Sequence, residues 1–209
     1  MLGTLLALVE RRRTAVLVGA AVLVAAAITL PLWGMTLVST QYPDGLRMVV
    51  YPAHIRGDIS EINTLNHYIG MTPISDAFFS ELRLLPAALG AIALAALVAA
   101  LIRRAWATVP PLVLMAALAA YGMNAMHHRL YQFGHDLNPH AAIHIAPFTP
   151  PMLGQNQIAQ FATYCYFSWG TILPLVAGVL LALVLAADLR DARRAPPALG
   201  PAARKLAAA

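Results

Sequence analysis

The chain has 209 residues, 60% of them hydrophobic and 11% charged, with a mean hydropathy of +0.68. An ordinary soluble domain is about 45–50% apolar and about 25% charged, so an ordinary soluble enzyme is excluded. The formal net charge of +5 matters through its sidedness and does not argue for nucleic acid. The single cysteine, Cys165, excludes an internal disulfide and any CxxC metal or redox motif.

The apolar residues arrive in blocks, and the expected class is an all-α polytopic membrane protein. Its spans form a four-transmembrane-helix bundle, with two long outer loops carrying short interfacial helices. Alternating ten-residue segments of a membrane β-barrel are absent. Arg11, Arg12 and Arg13 precede span one, expected at about 14–38 with Pro31 late in it. A cleaved signal peptide shares the basic start and apolar core, but this stretch is too long for a signal core, so an anchor is expected. Span two is expected at about 84–102, stopping at Arg103 and Arg104. Span three follows at about 107–126, with Pro110 and Pro111 in its first turn, where a missing N–H does little harm. Span four is expected at about 161–187, kinked at Pro174. Residues 1–192 then form one membrane domain. The Ala-, Pro- and Arg-rich 193–209 reads as a disordered cytoplasmic tail.

Ten of the fourteen basic residues fall at the N-terminus, the 103–104 turn and the C-terminal tail. By the positive-inside rule both termini face the cytoplasm and both long loops, about 39–83 and 127–160, lie outside. Heavy Ala, Arg and Pro usage with one Lys points to a GC-rich bacterial genome, which makes the compartment periplasmic and the membrane the bacterial inner membrane. Trp33, Tyr42, Phe78, Phe79, Tyr131, Tyr164, Phe167 and Trp169 are placed for an aromatic belt at the outer interface.

All seven histidines and six of nine acids lie in or beside the outer loops. In loop one, Ile59, Ile62, Leu65 and Ile69 recur at helical steps, predicting an amphipathic helix ended by Gly70. Asn63 and His67 share one of its faces, and Glu61 sits near its start. Thr72-Pro73 predicts a second helix with Asp76 in its first turn. Loop one as a whole is expected to be ordered, because two amphipathic patterns need a partner for their apolar faces. Glu81 stands at the mouth of span two, where an acid is costly unless it pairs with Arg83, binds a metal or serves a proton relay.

In loop two, His128, Tyr131 and His135 share a helix face. Asn138-Pro139 predicts a helix start that sets His140 and His144 side by side, either a workable bite for Zn²⁺ or Cu²⁺ or, the commoner case for such a pair, interfacial histidines hydrogen-bonded to loop carbonyls. Six methionines also cluster toward the outer side; thioethers suit Cu(I), although core filling is the commoner role. Gln157, Gln160, Tyr164 and Ser168 are expected to form a polar helical stripe facing the bundle.

The run YPDGL … ISEINTLNHYIGM … E, followed by PFTPPMLGQNQIAQF, resembles small four-span membrane proteins encoded beside bacterial nitrous-oxide reductases and related periplasmic copper enzymes. The resemblance covers the two outer loops. It implies copper handling or electron delivery near a periplasmic respiratory enzyme, and it brings no catalytic residues with it.

The candidate metal residues are His67, His128, His135, His140, His144, Glu81 and Glu61. No single loop completes a coordination sphere of about four, so the ligands are expected to converge from both loops at one rim of the bundle. The first functional reading is a non-catalytic accessory protein that holds copper, or another transition metal, for a periplasmic or membrane redox enzyme. The second is a structural or anchor subunit of a membrane redox complex with no metal of its own. An independent enzyme, such as a metal-dependent membrane oxidase, ranks last, because no complete ligand set stands at tight spacing; there is also no Walker loop, no Rossmann glycine pattern and no nucleophile–base pair at recognisable spacing.

Overall fold

The computed structural model describes residues 2–77, 79–102, 104–158 and 160–194. Most of the expected tail, 195–209, therefore lies outside the described residues. In chain order the elements are α1 (Leu2–Arg11), α2 (Arg13–Ala27), β1 (Trp33–Val38), β2 (Leu46–Tyr51), β3 (His54–Gly57), α3 (Ile59–Tyr68), α4 (Leu85–Leu101), α5 (Val109–His135), β4 (Gly154–Ile158), β5 (Phe161–Phe167) and α6 (Trp169–Arg194). Short 3-10 turns, Ser80–Leu84 and Ala105–Thr108, lead into α4 and α5.

Three helical stretches are long and apolar enough to cross a membrane: Ser80–Leu101, Ala105–His135 and Trp169–Arg193. Arg13–Ala27 is a shorter apolar helix. These helices bury small residues against one another. Leu17, Ala20, Val24, Ala96, Leu181 and Val184 are wholly enclosed, while Leu94, Leu97, Val113, Leu175 and Val179 point outward. Ala20, Ala27, Ala96 and Ala177, all wholly buried, let the backbones approach closely, as in helices packed in lipid, where close approach replaces the hydrophobic drive.

Arg13 ties the N-terminal end of this bundle together. Its guanidinium pairs with Asp188 of α6 at 3.1 Å and donates to the carbonyls of Ala99, Ile102 and Arg104 and to the Thr108 hydroxyl. One side chain thus joins four helices and satisfies carbonyls at the end of α4 that have no partner within the helix.

The other end carries an antiparallel five-stranded sheet of order β3-β2-β1-β5-β4. The all-α expectation is corrected here. Span one does not run to Val38: the helix stops at Ala27, and Trp33–Val38 is a central strand. Span four does not begin at Phe161: Phe161–Phe167 is the neighbouring strand, and the helix starts at Trp169. Pro31 removes a helical N–H donor, and Thr, Val, Tyr and Phe favour a pleated surface. The expected polar stripe is accordingly not helical, with Gln157 on β4 and Tyr164 on β5.

Because β1 and β5 pair with each other and run directly into α2 and α6, the sheet is a head mounted on the two central helices. At the join, Gly170 N–H donates to Pro31 O, Ser168 N–H to Leu32 O, and the Thr171 hydroxyl to Leu32 O.

The head has a core of its own, built from Trp33, Met35, Leu46, Met48, Ile62, Ile74, Phe133 and Cys165. Trp33 is buried in it, with the indole N–H on Met152 O at 2.6 Å, and is therefore not part of an exposed belt; Trp169 is exposed. Span three is longer than expected. At 27 residues, or about 40 Å, α5 outruns an apolar slab of about 30 Å. Its last turns enter the head, where Phe133 stacks on Phe79 at 5.7 Å.

Candidate functional site at the junction of the outer loops

Loop one is folded, as its amphipathic patterns require. The helix predicted from Ile59, Ile62 and Leu65 is α3, with Ile62 and Asn66 buried. Gly70 ends it at a φ of 76°, the left-handed conformation that glycine adopts without strain. The second helix expected after Thr72-Pro73 does not form. Asn63 of α3 instead clamps this segment, its amide donating to Ile74 O at 2.9 Å and accepting from Ile74 N–H at 2.7 Å. Asp76, expected in a helical turn, accepts the Ile55 N–H of edge strand β3.

The two outer loops meet where α3 ends. Asn138 N–H donates to Gly70 O and Ile143 N–H to Tyr68 O. A cleft of about 530 Å³ opens there, walled by His67, Met71 and Thr72 from loop one and by Asp136, Asn138 and Pro139 from loop two. Gly70 makes this approach possible: a Cβ on it would stand 2.8 Å from Asn138 O, on top of its positive φ. Gly70→Ala is expected to open the clamp. The 138 and 143 amides should then exchange hydrogen markedly faster than in the parent protein, while the helical bundle keeps its protection.

A second, smaller cleft of about 250 Å³ lies beside the outer end of α5, lined by Glu81, Tyr121, Asn124, Ala125, His128 and Arg129. Glu81 is held there by Arg129 in a bidentate pair, at 2.7 Å and 3.0 Å. Its partner is therefore Arg129 rather than Arg83, and both carboxylate oxygens accept hydrogen bonds without a metal. Arg129 also donates to Gln132 at 3.1 Å.

The remaining candidates are dispersed. His135 lies over the Tyr131 ring at 3.8 Å, with its Nδ1 3.0 Å from Tyr131 O. The helix expected at 139–144 is absent. The Asn138 side chain accepts His140 N–H in a local turn, and His144 Nε2 sits 3.1 Å from Pro139 O. The His-x-x-x-His pair therefore does not sit side by side on a helix. Glu61 is exposed in the first turn of α3. Among the described residues no three His, Cys, Asp or Glu side chains come together as a metal site. The expected rim does exist, but its candidates divide: His67 joins Asp136 in one cleft, and His128 joins Glu81 in the other.

Sequence reasoning missed the Asn63 clamp and a row of sulfur side chains inside the head. Asn63 had the right face, but a hydrogen bond to a backbone eleven residues on has no local signature. Cys165 is buried on β5, and burial pushes its thiol up to about 11, since the charged form is the one that desolvation penalises. The thiol is expected to resist maleimide at neutral pH in the folded protein and to react at once when the chain is unfolded. Rapid labelling under native conditions would contradict its enclosure. Comparison of the chain with known family models, with curated proteins and with solved structures gives no match.

Proposed function

We propose that this is a non-catalytic accessory protein of the bacterial inner membrane that handles copper for a periplasmic or membrane redox enzyme. It crosses the bilayer four times with both termini in the cytoplasm, the short Arg13–Ala27 helix completing its span with the turn that follows. The sheet head stands in the periplasm, in keeping with the ten basic residues at the opposite end. Reporter fusions at residues 50 and 140 are expected to read periplasmic and one at residue 104 cytoplasmic. A reversed reading at any of the three overturns the topology.

The observation that carries the functional reading is the cleft between the loops. His67 and Asp136 offer one imidazole and one carboxylate in a single open groove. Two protein donors leave the rest of a coordination sphere of about four unfilled, which suits handing an ion to a partner better than storing it. Metal analysis of the purified protein tests this, with copper expected in the parent and reduced in His67→Ala.

The second reading, an anchor subunit with no metal of its own, is favoured by the Glu81–Arg129 pair, which neutralises the acid at the start of the Ser80–Leu101 stretch. A metal-free protein that copurifies with a cytochrome or copper enzyme would establish it over the first.

A further inference from the structure

The register of the sheet places three sulfur atoms in one row. Met35 on β1 lies directly opposite Met48 on β2 and opposite Cys165 on β5. Directly opposed residues share a face, with Cβ atoms about 4.5–5.5 Å apart. All three are buried, at 9%, 6% and 4% exposure. The outer two come from strands about 10 Å apart, twice the strand spacing. Methionine, with three rotatable bonds, is the side chain that reaches across such a gap.

The row ends in glycine on both sides, Gly57 opposite Met48 and Gly154 opposite Cys165. The Gly57 end is shut, because a Cβ there would collide with the Arg47 backbone. At the Gly154 end no atom of the described residues stands within 4 Å of where its Cβ would be.

The neighbouring rows are apolar, Trp33 with Val50 on one side and Leu37 with Leu46 on the other. The exception is Thr163, which is wholly buried and whose hydroxyl has no hydrogen-bond partner among the described residues. It shares the inner face with Cys165, two residues along β5. A core asks for volume at the three sulfur positions, and Leu or Ile supplies that with better-defined rotamers.

We propose that this row binds one soft monovalent cation, Cu(I), on the Cys165 sulfur with the thioethers of Met35 and Met48 as neutral ligands. Soft thioether and thiolate donors select Cu(I). Binding exchanges one proton for one Cu(I): the S–H bond breaks, the S–Cu bond forms, and the proton leaves to water with no change of oxidation state. The loaded site carries no net charge, which a dry interior requires; a divalent ion on the same ligands would leave one uncompensated positive charge. The site rests on the copper-handling reading and supplies the buried end of it, with the His67 cleft as the open end.

The test titrates Cu(I) under anaerobic conditions into the full-length protein in detergent, against the chelator bathocuproine disulfonate. The parent is expected to retain one Cu(I) per chain, with an X-ray absorption first shell of sulfur only, at about the 2.3 Å of metal–thiolate bonds. Cys165→Ser should lower the affinity at least about a hundredfold, and Met35→Leu and Met48→Leu about tenfold each, these last two being nearly volume-conserving. Met123→Leu, on the exposed face of α5, should leave this affinity unchanged. A first shell of nitrogen or oxygen in the parent, a reading that needs no variant to fold, overturns the site. Retention that survives Cys165→Ser but is lost in His67→Ala overturns the site and leaves the copper-handling reading standing. A parent protein that yields all its Cu(I) to the chelator overturns the buried site, and one that also carries no copper when purified overturns the copper-handling reading.

Discussion

Arg13→Ala is expected to destabilise the helical bundle by about 3–5 kcal/mol, the cost of removing one partner from a buried ion pair. The Arg13 and Asp188 side chains are only 13% and 11% exposed, so the stranded carboxylate cannot turn to water for its lost partner. Among the described residues it keeps the Thr108 hydroxyl at 3.5 Å. The same substitution removes the donors on the Ala99, Ile102 and Arg104 carbonyls, loosening the end of α4 as well. Arg13→Lys keeps the charge but not the planar fork that serves five acceptors at once, so it should recover only part of the loss. Replacing both partners, Arg13→Met with Asp188→Leu, should be less damaging than Arg13→Ala alone, because no unpaired charge remains. Thermal unfolding in detergent measures all three. An Arg13→Ala protein within about 0.5 kcal/mol of the parent would mean that the pair is effectively solvated.

Gly170→Ala is expected to cost about 1–3 kcal/mol and to loosen the head selectively. A methyl group there would stand 2.6 Å from both Leu30 O and Pro31 O. Those atoms are backbone and cannot rotate away. Relief requires the α2–β1 turn to move off the start of α6, which breaks the bond from Gly170 N–H to Pro31 O. Hydrogen exchange should accelerate in β1 and β5 while α4 keeps its protection. Equal loss of protection in head and bundle would show that the join does not separate them.

The apolar blocks and the basic residues made the membrane helices legible, and the i, i+3 and i+4 spacing of Ile59, Ile62 and Leu65 made α3 legible down to its closing Gly70. The sheet was hidden by continuity. Trp33–Val38 follows an apolar helix, and Phe161–Phe167 precedes one, so each reads as part of a longer span. Their alternation is masked as well: on β5, Thr163 and Cys165 point inward while Tyr164 and Tyr166 point outward, and aromatic rings on the outer face give no polar beat. Gly34 carried a faint sign, since a bare position opposite a large ring is a cross-strand device; a Cβ on it would meet the Tyr166 ring at 2.5 Å. For the site, the meeting of the loops could be argued from connectivity, but the partners could not. Arg129 reaches Glu81 across 48 residues, and Arg83, nearer in sequence, was the natural choice.

The fifteen residues of α2 rise only about 22 Å, less than the roughly 30 Å of an average hydrocarbon layer. In the proposed four-span topology the missing height is covered by 28–32, whose N–H groups are all satisfied. Ile28, Thr29 and Leu30 donate back to Ala25, Ala26 and Ala27, Pro31 has no N–H, and Leu32 donates to Val50. Irregular backbone at membrane depth is tolerated when protein supplies its partners in this way. The length of the column is then fixed by a turn locked onto α6 rather than by a helix that can tilt. Such a column cannot stretch to follow a thicker lipid. The protein should sort toward thin bilayers, and in vesicles of long-chain lipid the strain should fall on the turn beneath the head.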